Sequence, residues 1–313
     1  VEGMNRMDLN LVSSEFSKVN FENMIYEKKN SQTQQTMGQI KLIKPIKTVF
    51  EGVNLDIYKT LKSNEIKNIK LKEIDEQFCF LFVGHWMNGD LGHDRKNVGL
   101  LVKSFYETFK DKRGPKPALI LKASTGVSSY ISRDQILNKI KEIRKNIKSS
   151  NLPNIYLLSG EFSDQEMNEL YNHPKVKAML SLTKGEGFGR PLLEFGLTGK
   201  PIMASGWSGH MDFLNPEYTS LLPGTLEPVH ASAANAWLIK EAKWFKVSEP
   251  HVGTTLKNLY KHYKKFLERS KKQKHFAKTN FSWENMRDLV DTILEDNLPE
   301  FAEQVQLQMP KLE

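Results

Sequence analysis

The stretch that decides the fold runs from Met179 to Gly196 and reads MLSLTKGEGFGRPLLEFG. It begins as an apolar run of strand length, continues as a turn with three glycines and ends in the first turns of a helix. Glycine accepts positive φ, and Pro191 at the first helical position leaves the free N–H groups of that turn pointing towards the strand end. These N–H groups and the helix dipole attract anions, so the stretch predicts a binding site suited to a diphosphate.

Short apolar runs alternate with longer segments of helical periodicity around this stretch, from Gln77 onward. The predicted strands are 78–83, 118–122, 155–158, 176–182, 201–204 and 219–222. The predicted helices are 97–110, 133–148, 164–171 and 191–198, and the chain from about Ala231 is predicted to be mostly helical. Strands that are apolar on both faces and separated by helices imply an α/β fold with a parallel sheet, whose ligands bind at the carboxyl ends of the strands.

The 313 residues are enough for two domains or for one large α/β unit. Residues 77–275 are predicted to form the main α/β domain, and residues 276–313 to form C-terminal helices. Residues 1–53 contain only short apolar segments, and their polar part at 28–39 is predicted to be a loop. Residues 54–76 are rich in lysine and lack strong periodicity, which predicts a linker region.

The composition, with 39% hydrophobic and 26% charged residues, is typical of a folded globular chain. The single cysteine, Cys79, lies in an apolar run and cannot form a disulfide within the chain. No apolar stretch approaches the roughly 20 residues of a membrane-spanning helix, and the first residues lack the apolar region of a signal peptide. A cytoplasmic location is therefore expected. The net charge of +8 favours anionic partners, so peripheral contact with a membrane surface stays open.

Glu186 and Glu194 lie eight positions apart, with Gly-Phe-Gly directly after the first of them. This pattern resembles the Glu-x7-Glu donor-binding signature of retaining GT-B glycosyltransferases, closest to glycosyltransferase family 4. Other motifs resemble that family in the same order along the chain. They are SSEF at 13–16, EGVN at 51–54, FVG at 82–84, DRKNV at 94–98, GEFSD at 160–164, ELY at 169–171 and FSW at 281–283. The resemblance covers about residues 8 to 290.

The resemblance implies a GT-B architecture, in which two Rossmann-like domains face each other across a cleft. It also implies that the chain holds a complete C-terminal donor domain with a parallel sheet but only a partial N-terminal acceptor domain, in residues 1–53. A partner chain or a dimer could supply the missing acceptor half. The chain departs from the family at His85, where many members have an arginine, and at 87–93, which form an insertion before Arg95.

The resemblance also implies roles for individual residues. Glu186 would orient the donor sugar, while Arg95 and Lys96 would neutralise the diphosphate and the charge that grows on it as the sugar leaves. Glu194 would accept hydrogen bonds from the ribose. Further donor contacts are expected from Gly84, from Gly187, Phe188 and Gly189 through their backbone groups, and from Phe162 beside the base. Each residue also has a structural interpretation as a surface charge, a turn residue or a core side chain.

No cofactor is expected, because the nucleotide-diphosphate sugar is a substrate, and no metal is expected either. His85, His93, Asp90 and Asp94 lack a regular metal-ligand spacing.

Three hypotheses for the function follow from these observations. The first is transfer of a sugar from a nucleotide-diphosphate sugar, with retention of anomeric configuration, to an unknown acceptor such as a glycan, lipid or protein. In the second, a catalytically incomplete donor domain acts as a binding or structural protein. In the third, a modified nucleic acid is the acceptor, which would need a basic stripe beside the cleft.

Overall fold

The structure is a computed structural model that describes residues 1–235, 238 and 241–298. The N-terminal elements are β1 (Asn10–Val12), α1 (Glu15–Asn23), β2 (Ile25–Lys29), β3 (Thr36–Lys41) and β4 (Ile46–Thr48). The middle of the chain forms β5 (Cys79–His85), α2 (Val98–Phe109), β6 (Ala118–Ser124), α3 (Tyr130–Lys145), β7 (Ile155–Leu158), α4 (Asp164–Asn172), β8 (Val176–Ser181), α5 (Arg190–Gly196), β9 (Ile202–Ser205) and β10 (Ser220–Leu222). The last elements are β11 (Gly224–Pro228), β12 (Lys243–Val247), α6 (Glu249–Lys261), α7 (Tyr263–Asn280) and α8 (Trp283–Asn297). The part of the predicted C-terminal helices that falls at 299–313 lies outside the described residues.

Six parallel strands form the central sheet in the order β10-β9-β8-β5-β6-β7. This sheet confirms the predicted α/β class, and each of the six apolar runs predicted as a strand contributes one strand to it. The strand order reverses between β5 and β8, and ligands of such sheets bind at the carboxyl ends of the strands beside this point. The glycine-rich turn follows β8 and the Arg95-Lys96 pair follows β5, so both lie at the reversal.

Helices cover both faces of this sheet because the side chains of each strand alternate between two apolar layers. Phe80 and Phe82 pack with α2, α3 and α6 on one face. Cys79 and Leu81 pack with α4, α5 and α7 on the other face, and the Cys79 thiol is free and buried. Among the described residues, no helix is both long and apolar enough to cross a membrane.

The loop predicted for 28–39 is confirmed at 30–35 but wrong at both ends, because β2 and β3 form an antiparallel hairpin that pairs Ile25 with Lys41 and Lys29 with Thr36. Nearly all its side chains are exposed, so no buried face imposes an apolar alternation that the sequence could have shown. The helical prediction from Ala231 is wrong over 243–247, where β12 pairs with β11.

Residues 54–76, predicted as a linker, pack along α4 and bury Tyr58, Leu71 and Ile74. Polar side chains of α4 hold the backbone of this segment. Glu169 Oε2 accepts hydrogen bonds from the backbone N–H groups of residues 67, 68 and 69 at 3.2, 2.7 and 3.0 Å. The segment is therefore part of the packed structure beside the sheet.

We expect Glu169→Gln to lower the free energy of unfolding by about 1–3 kcal/mol at pH 7, because an amide oxygen replaces a charged acceptor of several buried hydrogen bonds. Burial alone would raise the pKa of Glu169, but the backbone hydrogen bonds outweigh it and hold the pKa below its usual value. The stabilisation is thus complete above the usual glutamate pKa and is lost as the pH falls through the lower folded-state pKa. Urea unfolding at pH 7 and at acid pH would measure both effects.

The control for this prediction is Glu107→Gln, which removes a surface ion pair with Lys110 and should change stability by less than about 1 kcal/mol. Equal stability of the Glu169→Gln variant and the wild type at pH 7 would contradict the prediction.

Two family-like motifs that are far apart in the sequence meet where residues 1–53 join the rest of the chain. The Val53 N–H donates to the Phe281 carbonyl oxygen at 2.9 Å, and the Trp283 N–H donates to the Val53 carbonyl oxygen at 3.1 Å. The contact pairs the EGVN and FSW motifs side by side.

Candidate functional site

The glycine-rich turn between β8 and α5 carries Glu186 to the loop that follows β5. Lys96 Nζ lies 2.5 Å from Glu186 Oε1, and Arg95 Nη1 lies 3.5 Å from Glu186 Oε2. Arg95 Nη1 also donates to the Gly185 carbonyl oxygen at 2.9 Å. The structure therefore brings together the three residues predicted to act in catalysis, although they are about ninety positions apart in the sequence.

The Glu186 carboxylate is ionised in this setting. Burial would raise the pKa of Glu186, but the charge and hydrogen bond of Lys96, together with Arg95, outweigh it and lower that pKa. The Lys96 side chain is 14% exposed, whereas the Arg95 side chain is 41% exposed. A carboxylate in this state accepts hydrogen bonds, and the two cations beside it are placed to face a bound anion.

Two contacts from the segment after β9 fix the shape of the turn. Ser208 Oγ accepts a hydrogen bond from the Glu186 N–H at 2.9 Å, and the Gly209 N–H donates to the Glu186 carbonyl oxygen at 3.0 Å. His210 is buried, with Nε2 at 2.6 Å from the carbonyl oxygen of Ser205, the last residue of β9. The sequence did not identify Ser208 as a site residue. Its only feature that could have indicated this is its position after an apolar strand.

The predicted backbone contacts lie in this turn and at the end of β5. Gly189 has φ +99° and precedes α5, as the glycine pattern requires. The Phe188 ring is buried 4.9 Å from the Phe213 ring, so Phe188 can offer a ligand only its backbone groups. Gly84 has φ +154°, and a Cβ there would lie 3.7 Å from Lys96 Cε.

Glu194 lies in α5 with both carboxylate oxygens engaged. Arg190 Nε donates to Oε1 at 2.9 Å, and the Tyr171 hydroxyl donates to Oε2 at 3.2 Å. Burial raises the pKa of Glu194, although the hydrogen bond from Arg190 opposes that rise. Each carboxylate oxygen can accept a second hydrogen bond.

Phe162 lies apart from this group, after β7 at the far edge of the sheet. Lys122 Nζ is 4.6 Å from the centre of the Phe162 ring and donates to the Gly160 carbonyl oxygen at 2.6 Å. The half-buried Phe162 ring thus packs against both the hydrophobic core and a cation.

The four residues between 85 and 94 that sequence reasoning weighed as metal ligands do not converge. The Asp94 carboxylate accepts a hydrogen bond from the Val98 N–H at 2.9 Å at the start of α2, and His93 stacks on His230 with ring centres 3.9 Å apart. His85 Nδ1 lies 2.8 Å from Ser124 Oγ. Within the described part of the chain, no three His, Cys, Asp or Glu side chains form a group that could hold a metal ion.

A cavity of about 320 Å³ opens beside Glu186, between α1 and the β11–β12 hairpin. Its walls include three aromatic side chains and three cations, namely Phe16, Trp207, Trp244, Arg95, Lys184 and Lys243. The Phe16 ring meets the Trp207 ring edge to face at 4.7 Å, so the N-terminal segment forms one side of the cavity. Sequence reasoning missed Lys184, Trp207 and Trp244, because their proximity depends on the hairpin.

Comparison with known proteins shows similarity in structure but not in sequence. No protein-family model matches the chain, and no curated protein matches it. A sucrose-phosphate synthase from Thermosynechococcus elongatus has a TM-score of 0.64 at 14% identity, over 94% of this chain and 59% of that protein. HepE from Anabaena, in complex with UDP and glucose, has a TM-score of 0.64 at 14% identity, over 95% of this chain and 65% of HepE.

The C-terminal domain of LpcC, a glycosyl transferase group 1 family protein from Francisella tularensis, has a TM-score of 0.50 at 12% identity. That match covers 74% of this chain and 100% of the LpcC domain. The chain spans less than two thirds of the length of the first two proteins. With its six-stranded parallel sheet and its helices on both faces, the chain has the GT-B glycosyltransferase fold.

Proposed function

We propose that this protein binds a nucleotide-diphosphate sugar and transfers the sugar with retention of anomeric configuration, as a relative of glycosyltransferase family 4. The observation that carries the proposal is the ionised Glu186 carboxylate held by Lys96 and Arg95 at the point where the strand order reverses. Ligands of open α/β sheets bind at this point.

The chemistry of the proposal follows from the charges. Negative charge accumulates on the diphosphate as the bond to the sugar breaks, and fixed cations beside it lower the energy of that transition state. Arg95 and Lys96 provide those cations, with Arg95 exposed enough to reach a ligand. Both Glu186 oxygens are paired with cations, so we assign Glu186 to hydrogen bonds with sugar hydroxyls rather than to proton abstraction.

The nucleotide is proposed to lie across α5 towards β7, with its ribose at Glu194 and its base near Phe162. The HepE structure, which holds UDP and glucose, supports UDP as the first nucleotide to test. The acceptor is a glycan, a lipid or a protein, and a partner chain or a second copy would supply the rest of its site.

We expect Glu194→Ala to weaken binding of the matching nucleoside diphosphate about 10–100-fold, because a charged acceptor for the ribose hydroxyls is lost. Calorimetric titration with UDP, GDP and ADP would measure this. Glu194→Gln keeps the shape and one acceptor oxygen and should lose less affinity. Glu107→Ala, on the exposed face of α2, is the matched control and should bind like the wild type.

Titration of the wild type tests the proposal itself. A nucleotide at about 100 times its dissociation constant should stabilise the protein by roughly 2.7 kcal/mol in thermal unfolding. A folded wild type that binds none of the three nucleotides would overturn the proposal and favour a binding or structural role. Once the donor is known, NMR of the sugar released by slow donor hydrolysis would show whether the anomeric configuration is retained.

A further inference from the structure

Lys184 is a buried cation that the proposed donor chemistry does not use. The residue is 2% exposed and lies in the glycine-rich turn, two positions before Glu186. Its Nζ lies 5.1 Å from the centre of the Trp244 ring. Across residues 1–235, 238 and 241–298, no carboxylate lies within 4 Å of this ammonium and no side chain or carbonyl accepts a hydrogen bond from it. An ammonium buried in this way is costly unless an anion pairs with it.

The charged side chains on the cavity wall beside Lys184 are mostly positive, whereas the carboxylates that act on Lys184, those of Glu227, Asp94 and Glu249, are not part of that wall. Lys184 lines the cavity of about 320 Å³ together with Arg95 and Lys243. The one carboxylate among the described lining residues is Glu186, which already pairs with Lys96 and Arg95. Burial lowers the pKa of Lys184, and the charges of Glu227, Asp94 and Glu249 oppose this shift without reversing it. An incoming anion would therefore meet an excess of positive charge on this wall.

The cavity is open to solvent on one side, and its volume is compatible with a sugar-sized anion. Ligand pockets usually measure about 300–1,000 Å³, so this cavity suits a group of monosaccharide size. Phe16 and Trp207 provide apolar walls, and Lys184 and Arg95 provide the few polar groups that orient a ligand in such pockets. The cavity lies on the β9 side of the turn, whereas Phe162 lies on the β7 side.

We propose that this cavity binds the anionic group of a phosphorylated or carboxylated sugar, with Lys184 as its main charge partner. The inference rests on the proposed function, because it takes the neighbouring turn as the donor site. The anionic group belongs either to the acceptor or to the transferred sugar, and the chemistry at Lys184 is the same in both cases.

The test measures the preference for a charged sugar over its neutral counterpart. In the first arm, hexose 6-phosphates and hexuronates are titrated against the neutral hexoses, with the matching nucleoside diphosphate at saturation. In the second arm, the nucleotide hexuronate is compared with the nucleotide hexose. We expect a preference of about 10–100-fold in one arm, which identifies whether the acceptor or the transferred sugar carries the anion.

Lys184→Met should abolish this preference and leave the affinity for the nucleoside diphosphate within about twofold of the wild type. Lys184→Arg restores the charge and should recover part of the preference, which guards against a folding defect in the methionine variant. Lys110→Met is the control, because Lys110 pairs with Glu107 at 2.6 Å and neither residue lines the cavity.

Equal affinity for charged and neutral sugars in both arms, or a preference that survives Lys184→Met, would overturn the inference. The nucleotide titration separates this failure from that of the proposed function. Nucleotide binding without any charge preference removes the anion site alone. Absence of nucleotide binding would contradict the proposed function. The sugar titration is then repeated without nucleotide, and a preference for the charged sugars that depends on Lys184 would still support the anion site.

Discussion

Lys96→Met is expected to lower the rate of sugar transfer by about 10²–10³-fold, the usual loss when one fixed charge is removed from beside a transition state. Lys96 is the closest cation to Glu186, at 2.5 Å, and its side chain is largely buried between that carboxylate and Gly84. Methionine is unbranched and one atom shorter than lysine, so it keeps most of the apolar stem and removes the charged ammonium. Steady-state kinetics with the donor identified by calorimetry would measure the loss.

The same substitution should also destabilise the fold, because it leaves the buried Glu186 carboxylate with only the longer contact to Arg95. Breaking a buried ion pair typically costs about 3–5 kcal/mol, so thermal unfolding must accompany the kinetics. Without Lys96, the pKa of Glu186 should rise. The stability that ionised Glu186 contributes would then be lost at a higher pH than in the wild type as the pH falls.

Two variants separate the role of Lys96 in transfer from a folding defect. Lys96→Arg keeps the charge and should retain more activity than Lys96→Met. Lys103→Met removes an exposed cation of α2 that pairs with Glu249 at 3.7 Å, and it should leave transfer unchanged. A folded Lys96→Met protein with wild-type activity would show that the cation does not act on the leaving diphosphate.

Gly209→Ala is expected to weaken nucleotide binding at least about tenfold, through the shape of the turn rather than through any lost charge. A Cβ at position 209 would overlap the carbonyl oxygen of Gly187 and lie 2.9 Å from the carbonyl oxygen of Glu186. Both neighbours are backbone atoms, so the turn itself must shift. Overpacking of this kind costs about 1–3 kcal/mol of stability.

The matched control is Gly196→Ala, at the end of α5, the helix that follows the same turn. A Cβ there meets only Ile202 Cδ1, at the ordinary distance of 3.7 Å, and alanine favours a helix over glycine by about 1 kcal/mol. We therefore expect this variant to bind nucleotide normally and to be as stable as the wild type or more so. Normal nucleotide binding by Gly209→Ala would mean that the turn does not form the donor site.

The sheet could be predicted because its inner strands are buried on both faces over most of their length. The runs that became β5 and β8 are mostly apolar and mostly buried, so their length and the helices between them indicated a parallel arrangement. The spacing of Glu186 and Glu194 likewise indicated the candidate site, because both residues lie within one short stretch of sequence.

The features that were missed depend on contacts between distant segments. The polar residues of β2 and β3 suit a loop as well as a solvated hairpin, so nothing in the sequence distinguished the two. Residues 54–76 have no periodicity because hydrogen bonds to side chains such as Glu169 hold much of their backbone. Lys184 and Trp244 are sixty positions apart, and a hydrogen bond from the Phe245 N–H in β12 to the Lys184 carbonyl oxygen, at 3.0 Å, brings them together.

The position of β5 in the middle of the sheet has a consequence for how the chain folds as it is made. Cys79 in β5 pairs with Ala118 on one side but with Val176 on the other. Ribosomes add about 5–20 residues per second, so one edge of this apolar strand waits roughly 5–20 s for its partner. During that interval the edge can pair with another nascent chain, and we expect yields on synthesis to depend on temperature and on chaperones.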